Sequence, residues 1–104
     1  MRDSPPVRLG GLAANLGRIK SFSANEAGRE TVAGLIDESK MFIEWTAAQA
    51  EINTAAMIVD VQVQLVLWQI RWDQIWADPI QRKQIAEQSG IWSKQILELS
   101  GLLK

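Results

Sequence analysis

The longest apolar run of the chain lies between Asn53 and Ala77, and its pattern predicts a helix that is buried on two sides. At about 100° per residue, its apolar positions divide into two opposite sectors. One sector holds Ile58, Val61, Leu65, Trp68, Trp72, Ile75 and Trp76, and the other holds Ala56, Val59, Val63, Val66, Leu67 and Ile70. An edge helix of a small bundle needs one apolar stripe. The second stripe therefore predicts another layer: a neighbouring helix, the N-terminal segment or a second copy of the chain.

Part of this run is also compatible with a β-strand. Residues 59–65 alternate apolar with polar side chains and are rich in valine, which is typical of a half-buried strand. No other segment alternates in this way, so such a strand would lack a partner. The flanking residues keep the helical period without Gly or Pro, and we therefore predict a helix.

Three helices of similar length are predicted, at about 24–45, 54–77 and 79–100. Ser23 and Glu26 have the spacing of a capping box that would start the first, and Asn53 is a good N-cap for the second. Asp78 caps the third, with Pro79 at its first helical position. The predicted fold is an all-α, three-helix up-down-up bundle. The alternative is that 24–45 and 54–77 continue through residues 46–52 as one long helix in an intermolecular bundle.

The N-terminal residues are predicted to form an accessory arm. Residues 1–8, with two prolines, are predicted to be a disordered tail, and residues 9–20 an amphipathic arm that docks on the bundle. Leu9, Leu12, Leu16 and Ile19 recur at helical spacing. The glycines within this segment each cost about 1 kcal/mol relative to Ala in a helix, so the arm needs a surface to dock on.

Length and composition predict one domain over residues 1–104 and restrict its chemistry. The chain has no Cys and no His, which removes disulfides, the usual metal and haem ligands and the commonest general base. We expect no cofactor, no metal and a cytoplasmic location. Residues 1–25, 26–78 and 79–104 carry net charges of +3, −6 and +2. A nucleic-acid binder normally has a basic surplus clustered on one face, and this chain, with a net charge of −1, does not, so we expect no nucleic-acid binding. No apolar stretch is long enough for integral membrane association.

The sequence gives little indication of a catalytic site. Four carboxylates lie near one side of the first predicted helix, Glu26, Glu30, Asp37 and Glu44, but metal sites in helical bundles of that kind add histidines. A solvated acidic face is the simpler interpretation. No serine has a base at a recognised spacing, and no phosphate-binding loop is present. The sequence therefore predicts a protein that is not an enzyme.

The spacing of the tryptophans predicts a surface for protein association. Trp68, Trp72 and Trp76 follow one another at four-residue spacing on one side of the middle helix. Large aromatic residues are enriched at the centres of protein interfaces. We therefore predict an interaction module that self-associates as a homodimer, and a further protein partner is possible. Its predicted interface is the tryptophan sector: Ile58, Val61, Leu65, Trp68, Trp72, Ile75 and Trp76. The alternative is a bundle that binds a small apolar ligand in a tryptophan-lined pocket.

Overall fold

The computed structural model describes residues 5–100 of the chain, and all the regular structure in that range is helical, with no strand. The all-α prediction is therefore confirmed for the described residues. The helices are α1 (Pro5–Phe22), α2 (Arg29–Ala47), α3 (Ile52–Ile70), α4 (Trp72–Ala77) and α5 (Pro79–Ser100), with a short 3-10 turn at Glu26–Gly28 before α2. The described residues form five α-helices rather than the three predicted, because the N-terminal segment forms a full helix and the middle helix is divided in two.

Helix α1 is the central element of the fold rather than an accessory arm. It packs most extensively against α5 and next against α2, and its residues Leu12, Leu16 and Ile19 are fully buried. Residues 5–8, predicted to belong to a disordered tail, form the first turns of this helix, whereas residues 1–4 lie outside the described range. Burial of the apolar stripe outweighs the low helix propensity of the glycines.

The helices are arranged in the order α5, α1, α2, α3, and this order leaves a groove. Helix α2 packs against both α1 and α3, while α3 touches α5 only slightly. A single hydrophobic core fills the space between them, with buried residues from α1, α2, α3, α4 and α5. The weak contact between α3 and α5 keeps the bundle open along one side.

The predicted break between the first two long helices is confirmed, so the single continuous helix is wrong. Helix α2 ends at Ala47 and α3 begins at Ile52. The cap of α3 is Glu51 rather than Asn53: its carboxylate accepts from the backbone N–H groups of Asn53 at 3.1 Å and Thr54 at 3.2 Å. The two oxygens of a carboxylate can satisfy two free amides of a first helical turn together.

Two other predicted boundaries also move. Asn25, not Ser23, caps the 3-10 turn before α2, with its Oδ1 accepting from the backbone N–H of Ala27 at 2.9 Å. Ser23 is instead buried. The predicted helix 54–77 is interrupted at Arg71, where the backbone leaves helical geometry (φ −104°, ψ 19°), and α4 begins at Trp72.

Helix α5 has the predicted start and the predicted cap. Asp78 Oδ1 accepts from the backbone N–H of Ile80 at 2.9 Å, and its Oδ2 accepts from the side-chain amide of Gln81 at 3.2 Å. These two hydrogen bonds, the one from Gln81 first, lower the pKa of the Asp78 carboxyl below its ordinary value of 3.8. The carboxylate form of Asp78 is therefore the one that stabilises the start of α5.

The cap at Asp78 predicts a specific dependence of stability on pH. Because the pKa is lower in the folded chain, its stabilising contribution is complete above about pH 4 and is lost as the pH falls through the folded-state value. Asn also caps helices but does not titrate. We expect Asp78→Asn to reduce the loss of melting temperature between pH 5 and pH 2, measured by circular dichroism against the unmodified chain. Parallel curves for the two proteins would contradict the assignment.

Gly28 is required by the tight approach of two backbone segments, and Gly34 is not required. A Cβ at Gly28 would overlap the carbonyl oxygen of Phe22, whereas one at Gly34, exposed on α2, would meet nothing within 4 Å. We expect Gly28→Ala to lower the free energy of unfolding by about 1–3 kcal/mol through steric strain. Gly34→Ala should raise it by about 0.4–1 kcal/mol. Urea denaturation measures both, and changes of the same sign would show that the turn adapts freely.

Candidate interaction surface

The seven residues predicted to face a second subunit lie in or against the core of the single chain. Ile58, Val61, Leu65, Ile75 and Trp76 are buried, and Trp68 and Trp72 are partly buried against the same cluster. The chain's own core therefore covers most of the side-chain surface that the sequence prediction assigned to a second subunit. The tryptophan sector offers more apolar area per residue than the valine sector, and the chain uses that area for its own interior.

The predicted tryptophan ladder is divided between two separate pairs. Trp72 packs on Trp76, with ring centroids 5.2 Å apart, and Trp68 packs on Trp92 of α5 at 5.3 Å. The helix break at Arg71 lies between Trp68 of the one pair and Trp72 of the other. The three tryptophans of the ladder thus do not form one continuous aromatic surface.

Trp76 connects α4 to the turn before α2 and to α5. Its indole N–H donates to the backbone carbonyl of Glu26 at 2.8 Å. The guanidinium of Arg82 lies 5.6 Å from the ring centroid and also donates to the backbone carbonyl of Trp76 at 2.6 Å. The residue therefore acts as a structural anchor with its polar atom satisfied.

The opposite face of α3 is open to solvent and strongly apolar. Ile52 is 79% exposed, Val63 51% and Ile70 73%. We define the outer seam as Ile52, Ala56, Val59, Val63, Val66 and Ile70, all of which are exposed. Their spacing alternates four and three residues over the whole helix, which is the heptad repeat of a coiled-coil seam. At about 1.5 Å per residue, the seam is roughly 27 Å long.

The outer seam contains no charged residue, and its flanks contain few. Asp60 and Leu67 flank it towards α5, whereas Gln62 and Gln69 flank it on the other side. The amide of Gln69 is fixed between two charges of α2: it donates to Asp37 Oδ1 at 2.8 Å and accepts from Lys40 Nζ at 2.7 Å. These hydrogen bonds hold the orientation of α3 and present the seam on a fixed helix.

A separate cavity opens in the groove between α3 and α5. It has a volume of about 240 Å³, and its lining includes Trp68 and Trp92. Four glutamines line it: Gln64 from α3, and Gln81, Gln84 and Gln88 from α5. The predicted tryptophan-lined pocket therefore involves Trp68 but neither Trp72 nor Trp76, and its walls are amides. The spacing of three and four residues between the α5 glutamines could have indicated this stripe from the sequence.

Other candidate chemistry is dispersed. Within residues 5–100, no three acidic side chains come close enough together to hold a metal ion. Glu26, Glu30, Asp37 and Glu44 are each exposed. None of the helices in that range combines the length and the hydropathy needed to cross a bilayer.

A comparison of the chain with protein-family models, with curated proteins and with solved structures found no match. Within residues 5–100, the outer seam of α3 and the cavity between α3 and α5 differ from an ordinary solvated exterior.

If Trp76 anchors the fold, removing its indole N–H should reduce the stability of the chain without changing its oligomeric state. Trp76→Phe leaves the carbonyl of Glu26 without its donor, and we expect the free energy of unfolding to fall by about 1–3 kcal/mol. Trp45→Phe is the matched control, because Trp45 is 53% exposed and exposed substitutions usually change stability by less than about 0.5 kcal/mol. Chemical denaturation measures the difference, and equal effects of the two substitutions would contradict the anchor.

Proposed function

We propose that the chain is a non-catalytic helical module that forms a homodimer through the outer seam of α3. The observation that carries this proposal is the unbroken heptad spacing of six exposed apolar positions on one helix. Leaving such a continuous apolar surface in water is unfavourable, and surfaces of this kind mark sites of protein association.

A second copy of the chain is the partner that suits the seam best. Knobs-into-holes packing requires the same repeat on both helices, and a second copy supplies it. Both helices can approach closely without like-charge repulsion at the contact, because the seam itself is uncharged. Valine and isoleucine add little side-chain entropy to the cost of association, since their χ1 angles are already restricted.

The non-catalytic part of the proposal rests on the side chains that the chain offers. It contains neither His nor Cys. The buried hydroxyls of Ser23, Ser39 and Ser89 have no hydrogen-bond partner among the described residues, so no base activates them there. A cytoplasmic location remains part of the same proposal and agrees with the absence of cysteine.

The test is a pair of charge substitutions one residue apart. Val63→Glu places a carboxylate in the seam of each copy, and we expect the dissociation constant of the dimer to rise by roughly 100-fold or more, because buried charges lack a partner there. Gln64→Glu is the control, since Gln64 is exposed but lies off the seam. Sedimentation equilibrium between micromolar and millimolar protein gives the constants, and circular dichroism reports whether the helices remain.

Two results would overturn the proposal. One is an unmodified chain that remains monomeric at millimolar concentration. The other is an equal effect of the two substitutions, which would place the contact elsewhere. Val63→Glu should leave the fold of the monomer intact, because half of the Val63 side chain already lies in water.

A further inference from the structure

The cavity between α3 and α5 is lined by aromatic side chains together with free amide groups. Its apolar lining residues are Trp68, which is partly buried, and the buried Ile75, Ile85 and Trp92, and its amide lining residues are Gln64, Gln81, Gln84 and Gln88. Neither the amides nor the apolar side chains require the other kind of group beside them for the stability of the fold. Their occurrence together is the feature that a ligand with both an apolar face and a polar edge would use.

The amides are available for a ligand. Among the described residues, Gln64, Gln84 and Gln88 form no hydrogen bond with another protein group. Gln81 donates to Asp78 and keeps its carbonyl oxygen free. Each free amide offers two donor hydrogens and an acceptor oxygen, so the cavity presents both kinds of group.

The charges around the cavity select a neutral ligand. None of its lining residues is ionisable. Asp60 of α3 and Arg71, at the break after α3, line the adjoining depressions instead. A charged ligand would lose hydration here without gaining a counter-charge. A purely apolar ligand would cover the amides and leave them without partners, which also opposes binding.

Size and ring geometry restrict the ligand further. The volume of about 240 Å³ is below the range of about 300–1,000 Å³ typical of drug-sized ligands, so it suits a single ring. Trp68 and Trp92 already pack on each other at 5.3 Å, which leaves no slot between them for a flat base. Sites that stack bases also supply cations, and the lining of this cavity has none.

We propose that this cavity binds one neutral pyranose ring of a sugar. The apolar face of the ring lies on Trp68, and its hydroxyls exchange hydrogen bonds with Gln64, Gln84 and Gln88. Each hydroxyl both donates and accepts, as each amide does, so the two sets of groups match without any charge. The site is distinct from the outer seam and does not depend on dimer formation.

The probes are the methyl glycosides of glucose, mannose and N-acetylglucosamine, added to the full chain at up to tens of millimolar. We expect at least one to cause a saturable shift of the Trp68 indole N–H signal and of the Gln84 and Gln88 side-chain amides in nuclear magnetic resonance spectra. Adenine, uracil and glucuronate serve as comparison ligands and should cause no saturable shift.

Two leucine variants test the role of the amides. Gln88→Leu keeps the size of the side chain and removes its hydrogen-bonding groups, and it should weaken binding at least tenfold. Gln74→Leu makes the same change at an exposed position on α4 outside the cavity and should leave binding unchanged. Helicity measured in parallel shows whether each variant is folded.

The proposal is overturned if none of the three glycosides gives a saturable shift. It is also overturned if adenine or uracil binds in their place, or if a folded Gln88→Leu variant binds as tightly as the unmodified chain. The titration is repeated with Ile70→Glu, a substitution in the outer seam and outside the cavity. Sugar binding should persist in this variant even when self-association is lost, so the sugar site is tested independently of the proposed dimer.

Discussion

The burial of one apolar stripe on α1 holds the rest of the structure in place. Leu12, Leu16 and Ile19 are completely removed from water, and α5 and α2 are the helices that cover α1. Each such side chain contributes roughly 1.5–3 kcal/mol on burial, so the three together are comparable to the net stability of a small domain, about 5–15 kcal/mol. With α1 occupying the space between α2 and α5, α3 can pack only on the remaining side of α2, and its contact with α5 is slight. The groove and the open face of α3 both result from this arrangement.

Helix α3 consequently has two apolar faces with different roles. Its inner face carries large residues, among them Leu65 and Trp68, and completes the core. Its outer face carries small β-branched residues at heptad spacing and remains in water. The cavity lies beside this outer face, between α3 and α5, where glutamines replace charged residues. The uncharged character of both surfaces is the property that links the proposed partner, another copy of the chain, to the proposed ligand, a neutral sugar.

The sequence predicted the start of α5 correctly, because Asp78 and Pro79 define it without help from distant residues. It also predicted the interruption between α2 and α3, although the cap there is Glu51 rather than Asn53. Prediction from the sequence failed where the burial of a helix face depends on the rest of the chain. Both sectors of residues 53–77 are apolar, so periodicity alone does not tell which one meets α2. Similarly, the glycines of α1 indicate a weak helix, but only the packing against α5 shows why this helix forms.

The main partner of α1 is also the most distant helix along the chain. The Ser93 hydroxyl donates to the backbone carbonyl of Ala13 at 2.7 Å, across 80 positions of sequence. During synthesis α1 emerges first among the described helices and α5 last, so the stripe of α1 lacks its main cover until all the other described helices have been made. Folding of the domain is therefore completed late, after long loop closure, and the nascent chain exposes leucines that a chaperone or another nascent chain can bind in the interval.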